Sequence, residues 1–406
     1  MILESRLEQI AELQKNRILS NSAGLIRAGL SEIRLQNSFV TVISGVRRCG
    51  KSTLLSQMLQ KDSDRVFFLN FEDTRLFDFE QNDFERLDRI ITGGKYEKVF
   101  FDEVQVIPQW ERYVRQKSDE KMKIVVTGSN ASLLSWELGT KLTGRNLLKE
   151  LFPFSFVEYC SFKKKTPSER TVIDYLLFGG FPEYVSSENE EVLSRLLNDI
   201  LTRDIAVRYG IRDFRTLQRL TLFLLSNVGR LVSANKLKAQ FEVGATSTIL
   251  EYLSHLEMSY LLFLVPKFSY SQRKQDVNPK KIYAIDTGFV NVHSLSFMED
   301  IGQKFENLIY LHIRRKSREI YYFSEKNECD FVVFEKGEIK SCIQVCYNLN
   351  NDNFKREING MMEALVFFGK NEGTIVTLNQ KDTIRQNGKI IHIVPAYSFL
   401  STGVES

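Results

Sequence analysis

The run Gly45-Val46-Arg47-Arg48-Cys49-Gly50-Lys51-Ser52 fits the pattern G-x-x-x-x-G-K-[ST]. Its residue types suit phosphate chemistry. Glycine permits the backbone angles that turn successive N–H groups toward phosphate oxygens. A helix opening at Thr53-Leu54-Leu55 would add its positive N-terminus. Lys51 is then placed to reach the β- and γ-phosphates, and the Ser52 hydroxyl to ligate Mg²⁺. The expected nucleotide contacts are Gly45, Val46, Arg47, Arg48, Cys49, Gly50, Lys51, Ser52 and Thr53. About 50 residues on, Lys98-Val99-Phe100-Phe101-Asp102-Glu103 is an apolar strand ending in two carboxylates, a Walker B strand. Asp102 is expected to hold Mg²⁺ through water. Glu103 is expected to orient and deprotonate an attacking water, which predicts hydrolysis rather than binding alone. A third run, Ile124-Val125-Val126-Thr127-Gly128-Ser129-Asn130, ends in small polar residues. Asn130 or Ser129 could sense the γ-phosphate there; an ordinary strand-to-helix turn is the plainer reading. Arg145 follows a glycine in Leu142-Thr143-Gly144-Arg145. Such an arginine can project from one subunit to neutralise charge on a neighbour's γ-phosphate, or it can sit in a surface salt bridge.

Those groups must be held by alternating strands and helices. Phe39–Ser44, Val66–Asn70, Lys98–Asp102 and Lys123–Thr127 are short β-branched or aromatic runs separated by helical stretches, as in an α/β domain with a mostly parallel sheet. The first 38 residues carry Leu7, Ile10, Leu13 and Ile18 near helical spacing. After Phe154 the strands stop, and Ser168 to Leu225 reads as helices broken at Gly179-Gly180-Phe181-Pro182. Ser233 to Leu256 reads as two helices joined at Val243-Gly244, followed by a hairpin from Tyr260–Phe268 and Lys280–Ala284. A second α/β unit runs from Gly302, with strands near 320–323, 330–334, 339–345, 374–378 and 390–395.

Taken together, GVRRCGKST, FFDEVQVIPQW, TGSN, LTGR and LFPFSFVEY, followed by GGFPEYV, TRDI, RYGIRD, KIYAIDTGF and ECDFVV, give the chain a family resemblance over nearly its whole length. It resembles prokaryotic AAA+ ATPases, similar to the archaeal ATPases, with a C-terminal domain of unknown function like that of restriction endonucleases. The resemblance implies an N-terminal helix and AAA+ P-loop core at 1–160, a helical lid at 161–228, a winged helix at 229–298 and a nuclease-like α/β domain at 299–406. It also implies that the TGSN strand lies between the P-loop and Walker B strands. Arg145 matches the family's arginine finger, and Arg203 is a candidate second sensor, with a structural salt bridge as the alternative.

A restriction-type centre needs an acidic residue, an Asp at a strand start, and Glu-x-Lys on the next strand. Glu306 and Asp330 fit the first two places, but Gln344 stands for Glu and Cys346 for Lys. A neutral amide ligates a hard cation less well than a carboxylate, and a thiol does not replace an ammonium. The domain is therefore expected not to cut DNA. In the winged helix, Ala245 to Leu256 carries no Lys or Arg. Phosphate contacts would have to come from Gln272, Arg273, Lys274, Lys280 and Lys281. Arg314, Arg315, Lys316 and Arg318 form the strongest basic cluster, which is either a nucleic-acid contact or a solvated helix end.

Composition excludes several other classes. The chain has 406 residues, 43% hydrophobic, with 55 Lys and Arg against 51 Asp and Glu. Disorder throughout and a strongly basic nucleic-acid packager are both excluded. Five cysteines without a CxxC and only 4 His argue against a disulfide framework and a His-rich metal cluster. No signal peptide or membrane span is read, so a cytoplasmic protein is expected. The expected function is ATP binding and hydrolysis with Mg²⁺ by a homo-oligomer, compatible with a hexamer, acting on DNA. The alternative is a nucleotide-dependent switch that holds a protein partner.

Overall fold

The computed structural model describes residues 1–129, 144–294 and 301–401. The chain forms two compact units, Met1–Leu151 and Phe152–Ser406.

The first unit is built on a five-stranded sheet of β1 (Val40–Ser44), β2 (Val66–Asn70), β3 (Lys98–Asp102), β4 (Lys123–Gly128) and β5 (Asn146–Glu150), in the order β2-β3-β4-β1-β5. Every pairing is parallel. A parallel sheet is covered on both faces, and β1 is accordingly buried at every residue. Helix α1 (Glu4–Ser20) contributes Leu7, Ile10 and Ala11 to one core. Helices α3 (Asp83–Gly93) and α4 (Trp110–Asp119) add Phe84, Leu87, Ile91, Trp110 and Val114 to the same core. Helix α2 (Lys51–Lys61) buries Leu54, Leu55, Met58 and Leu59. The register sets Ser44 beside Gly128 and Asn70 beside Asp102, so the carboxyl ends of β1 to β4 form one rim. As the family resemblance implies, β4 lies between β1 and β3.

The second unit opens with helices. In α5 (Phe156–Lys163), Ser155 and Glu158 form a reciprocal capping box. After α6 (Glu169–Phe178), α7 (Pro182–Ser187) and α8 (Glu190–Asp199), the chain continues as a π-helix over Ile200–Val207 and then α9 (Phe214–Leu225). Arg203 lies in the π-helical stretch, exposed, 3.7 Å from Asp199. Helices α10 (Ala234–Gln240) and α11 (Thr246–Met258) lie between the first two strands of a three-stranded antiparallel sheet of β6 (Leu231–Val232), β7 (Leu262–Val265) and β8 (Lys280–Ala284), with β8 central. The expected hairpin of β7 and β8 is present, with α12 (Gln272–Val277) in its connection. After α13 (Thr287–His293) and α14 (Ile301–Arg314) comes a six-stranded mixed sheet in the order β13-β14-β12-β11-β10-β9. Its strands are β9 (Glu319–Ser324), β10 (Glu328–Glu335), β11 (Glu338–Val345), β12 (Glu372–Thr377), β13 (Asp382–Gln386) and β14 (Lys389–Pro395). Helix α15 (Phe354–Phe367) packs Ile358, Met361, Ala364 and Leu365 into its core.

Two sequence readings are corrected in this unit. Lys281 is not a surface cation of the hairpin: it is buried and paired with Glu306, Glu328 and Asp330. The basic cluster is not a wholly solvated helix end. Arg315 donates to the carbonyls of Pro153 and Phe154, and the Arg314 guanidinium lies over the Phe152 and Phe263 rings. Among the described residues no helix is long and apolar enough to cross a membrane.

Candidate nucleotide site

The glycine-rich loop joins β1 to α2 at the carboxyl rim of the parallel sheet, where open α/β sheets place their ligand crevice. A Cβ at Gly45 would lie 2.0 Å from the Leu151 carbonyl oxygen, so that close approach admits no side chain. Gly50 has φ 102° and caps α2 from the left-handed region, which glycine enters without a steric penalty. Arg48 also takes a positive φ of 61°. Val46 and Cys49 are buried, and the Cys49 thiol donates to the Leu151 carbonyl at 3.3 Å. Burial, its largest influence, holds that thiol above the usual cysteine range. Arg47 pairs with Glu72 at 3.2 Å. Ser52 and Thr53 lie exposed in the first turn of α2.

Lys51 is buried and turned inward. Its ammonium donates to the carbonyls of Gly45 at 3.1 Å and Val46 at 3.2 Å and stands 3.6 Å from Glu103 Oε1. The loop thus holds its cation in place within its own backbone arc. Asp102 ends β3 beside it, fully buried. It accepts hydrogen bonds from the hydroxyls of Thr127 and Ser52 and, at 3.2 Å, from Asn70 Nδ2. Burial first, and the neighbouring Glu103 second, push the Asp102 carboxyl up to about 6. For Glu103, burial opposes ionisation, but Lys51 foremost, with Gln105 and Arg47, outweighs it and lowers its pKa. The one ammonium acts on two adjacent carboxylates; with its neighbours it outweighs burial at Glu103 but not at Asp102.

Glu103 takes φ 51° and ψ 43°, a left-handed conformation unusual for a residue with a side chain. Its N–H donates to Thr127 Oγ1 at 3.0 Å, and Gln105 Nε2 donates to its Oε2 at 2.5 Å. Such strain persists where surrounding contacts fix it, and it gathers at working sites. A cavity of about 610 Å³ lies against this rim, lined by Ser52, Asn70, Asp73 and Asp102 among others.

The structure therefore brings Lys51, Ser52, Asp102 and Glu103 together. Ser129 is buried 3.5 Å from Gln105 Nε2. Asn130 lies outside the described residues. Arg145 is not at this rim: it is half-exposed at the start of β5 and pairs with Asp119 at 2.9 Å. Thr127, Asn70, Gln105 and Arg27 are contributors that the sequence reading passed over. The buried Arg27 donates to the Cys49 carbonyl at 2.6 Å. Thr127 and Asn70 had a signal, since each is a polar residue at the end of a buried strand facing the loop. Arg27 had none, because it lies in an irregular segment outside any motif.

The oxygen donors beside the loop suit a hard divalent cation. Asp102 offers a buried carboxylate whose partners are neutral donors, and the adjacent Ser52 hydroxyl is a second oxygen ligand, which fits Mg²⁺.

A family model described as an AAA domain matches residues 37–160, and a domain of unknown function, DUF8612, matches residues 169–300. The latter lies ahead of the six-stranded sheet. A solved structure, the Thermotoga maritima RuvB Holliday junction branch migration motor, is 15% identical over 64% of this chain and 91% of its own, with a TM-score of 0.30, too low to build on. Among curated proteins, uncharacterized protein MJ1544 of Methanocaldococcus jannaschii is 34% identical over 403 residues, covering 91% of this chain and 90% of that protein. A protein of Haemophilus influenzae is 31% identical over 337 residues, covering 77% and 83%. On that identity and coverage, this AAA-domain chain belongs to one family with the Methanocaldococcus jannaschii and Haemophilus influenzae proteins.

Proposed function

We propose that the chain is an AAA+ ATPase that hydrolyses ATP to ADP and phosphate and acts, as a homo-oligomer, on DNA. The observation that carries the catalytic part is the placing of the Lys51 ammonium 3.6 Å from an ionised Glu103 just past the end of β3, one strand removed from β1 in the parallel sheet. A triphosphate entering the loop would draw Lys51 from the Gly45 and Val46 carbonyls to its own β- and γ-oxygens. Glu103, whose lowered pKa keeps it ionised, would accept a proton from water as the water oxygen bonds to the γ-phosphorus and the bond to the β,γ-bridging oxygen breaks. Ser52 and Asp102 would hold Mg²⁺, which when bound neutralises charge on the phosphate oxygens. Asn130 and Ser129 are assigned to the γ-phosphate side, and Arg145 to the neighbouring subunit's site. The domains follow the same proposal: core 1–160, lid 161–228, winged helix 229–298 and an inactive nuclease-like domain 299–406.

Steady-state ATP turnover tests this reading, measured with and without duplex, single-stranded and branched DNA. Lys51→Ala and Glu103→Gln are each expected to lower turnover by at least 100-fold. Wild-type turnover in Lys51→Ala would refute the site. Stimulation by one DNA form, with affinity falling steeply as salt rises, supports action on DNA.

A second reading, a switch that holds a protein partner, is favoured by one observation. Helix α11 buries Ile249, Tyr252, Leu253 and Leu256 and carries neither Lys nor Arg for a DNA groove. Turnover indifferent to all three DNA forms, with a partner trapped by Glu103→Gln, would favour it.

A further inference from the structure

In the second unit, six aromatic rings gather where the segment after β7 meets β9, β10 and the end of α15. Phe268 is their centre. Phe334 lies stacked on it at 5.2 Å, and Tyr270, Tyr321, Phe367 and Phe368 meet it edge-on at 4.8–6.1 Å. Two of the rings stand at the surface. Tyr270 is 84% exposed and Phe367 44%, and the two lie stacked at 6.2 Å and 26°.

The platform is held from behind. The Phe268 N–H donates to the Tyr322 carbonyl at 2.8 Å, and the Tyr322 N–H donates to the Pro266 carbonyl at 3.1 Å. The segment therefore runs beside β9, the edge strand of the six-stranded sheet. Gln275, on α12, donates to the Ser269 carbonyl at 2.6 Å and ties that helix to the same segment. Rings fixed in this way lose little freedom when something stacks on them.

Charge selects the occupant. The carboxylates on the strands and helix that carry the rings are engaged. Glu325 pairs with Lys267 and Glu335 with Lys340, while Glu319 accepts from the Gly337 N–H and Glu363 from the N–H groups of Lys326 and Asn327. Asp276, the one acid of α12, accepts from Gln272 at 3.3 Å. Arg273 and Lys274, three and four residues after Tyr270, are exposed and, among the described residues, have no anionic partner. Exposed ring faces beside unpaired cations match a strand of bases and phosphates, because every base has a face that stacks on an aromatic ring. In a duplex those faces are covered by neighbouring bases, so only an unpaired strand can use the rings. A second copy of this chain docked on the patch about a two-fold axis would set the same cations against each other.

We infer that Tyr270 and Phe367, with Arg273 and Lys274, form a stacking platform for single-stranded DNA, the rings taking bases and the cations phosphates. This inference rests on the reading that the chain acts on DNA, and adds the strand form engaged and the surface that engages it.

The test is fluorescence anisotropy of the full chain on a labelled oligothymidine of about 15 nucleotides, against a duplex of the same length, with and without a non-hydrolysable ATP analogue. Wild type is expected to bind the single strand more tightly than the duplex. Tyr270→Ala, at a position too exposed to threaten the fold, should weaken single-strand binding by at least about fivefold and leave its salt dependence unchanged. Tyr270→Phe keeps the ring and should resemble wild type. Arg273→Ala and Lys274→Ala should each lower the slope of log affinity against log salt by about 0.7. Single-strand binding that is intact in Tyr270→Ala overturns the inference and leaves action on DNA standing; the patch is then a protein-docking face. Loss of self-association in that variant, seen by sedimentation with DNA affinity unchanged, identifies the docked protein as a second copy and overturns the inference equally. Binding to neither DNA form, with or without the analogue, overturns the inference together with the DNA part of the proposed function.

Discussion

Glu103 is held at three points: its left-handed backbone N–H by Thr127, one carboxylate oxygen near Lys51 and the other by Gln105. Gln105 touches no reacting atom, so it is a positioning residue in the proposed hydrolysis. The hydrogen bond its side-chain amide donates to Glu103 helps keep that carboxyl ionised, after Lys51. A hydrogen bond to a charged group is worth about 1.5–3 kcal/mol, and part of that is returned by water at a part-buried site. Gln105→Ala is therefore expected to lower kcat about tenfold and to leave KM nearly unchanged. The sign of the pH effect is fixed. Losing the donor raises the Glu103 pKa, so the acid limb of kcat/KM moves to higher pH, while the titration of ATP is common to both proteins. A fall in rate with an unmoved acid limb would reduce Gln105 to a packing residue.

At the scale of elements, two motifs that carry the family resemblance prove to be joints. Asp286, in KIYAIDTGF, caps α13 by accepting from the Phe289 N–H at 3.0 Å and reaches back to the Gly180 N–H, in GGFPEYV, at 2.6 Å. It is fully buried, and burial pushes its carboxyl up to about 6 from 3.8, against those two hydrogen bonds. The folded chain therefore binds a proton that the unfolded chain has released between about pH 4 and 6. The stability linked to Asp286 is present below that window and falls through it, by up to about 3 kcal/mol. Asp286→Asn cannot titrate and loses one acceptor, a cost of about 1–3 kcal/mol. Urea denaturation should find its deficit against wild type larger at pH 4.5 than at pH 7; a deficit constant with pH would refute the assignment. The buried strands β1 to β4 and the loop they carry were legible, because strands covered on both faces leave apolar runs. The strands that were not, β5, β6 and β13, are all sheet edges. Asn146–Glu150 is half-buried at every residue and Asp382–Gln386 is mostly exposed, so neither has a core pattern to read. The Glu103 conformation and the burial of Lys281 were illegible for another reason. Both are set by groups distant in sequence, and a lysine beside Lys280 in a hairpin carries no local mark of being inside.

On the scale of the whole molecule, the undecided element is Arg145. It lies in the first unit, paired with Asp119 at 2.9 Å, and both side chains are about half-exposed. An ion pair at that exposure contributes at most about 1 kcal/mol, so exchanging Asp119 for a neighbour's γ-phosphate would cost little. A finger acting within its own chain and one acting between chains predict different results on mixing. Arg145→Ala keeps its own loop and Glu103 but offers its neighbour no arginine. Lys51→Ala keeps the arginine but has no working loop. Each alone should turn over ATP at least about 100-fold more slowly than wild type if the finger is essential, a floor below the 10³–10⁵ range such arginines reach. Mixed in equal amounts under assembling conditions, roughly a quarter of interfaces in a cyclic homo-oligomer would join a Lys51→Ala arginine to an Arg145→Ala loop. ATP turnover should then recover toward that fraction, with a dependence on protein concentration. No recovery, with sedimentation confirming mixed assemblies, would confine Arg145 to its pair with Asp119 and remove the reason to require a ring.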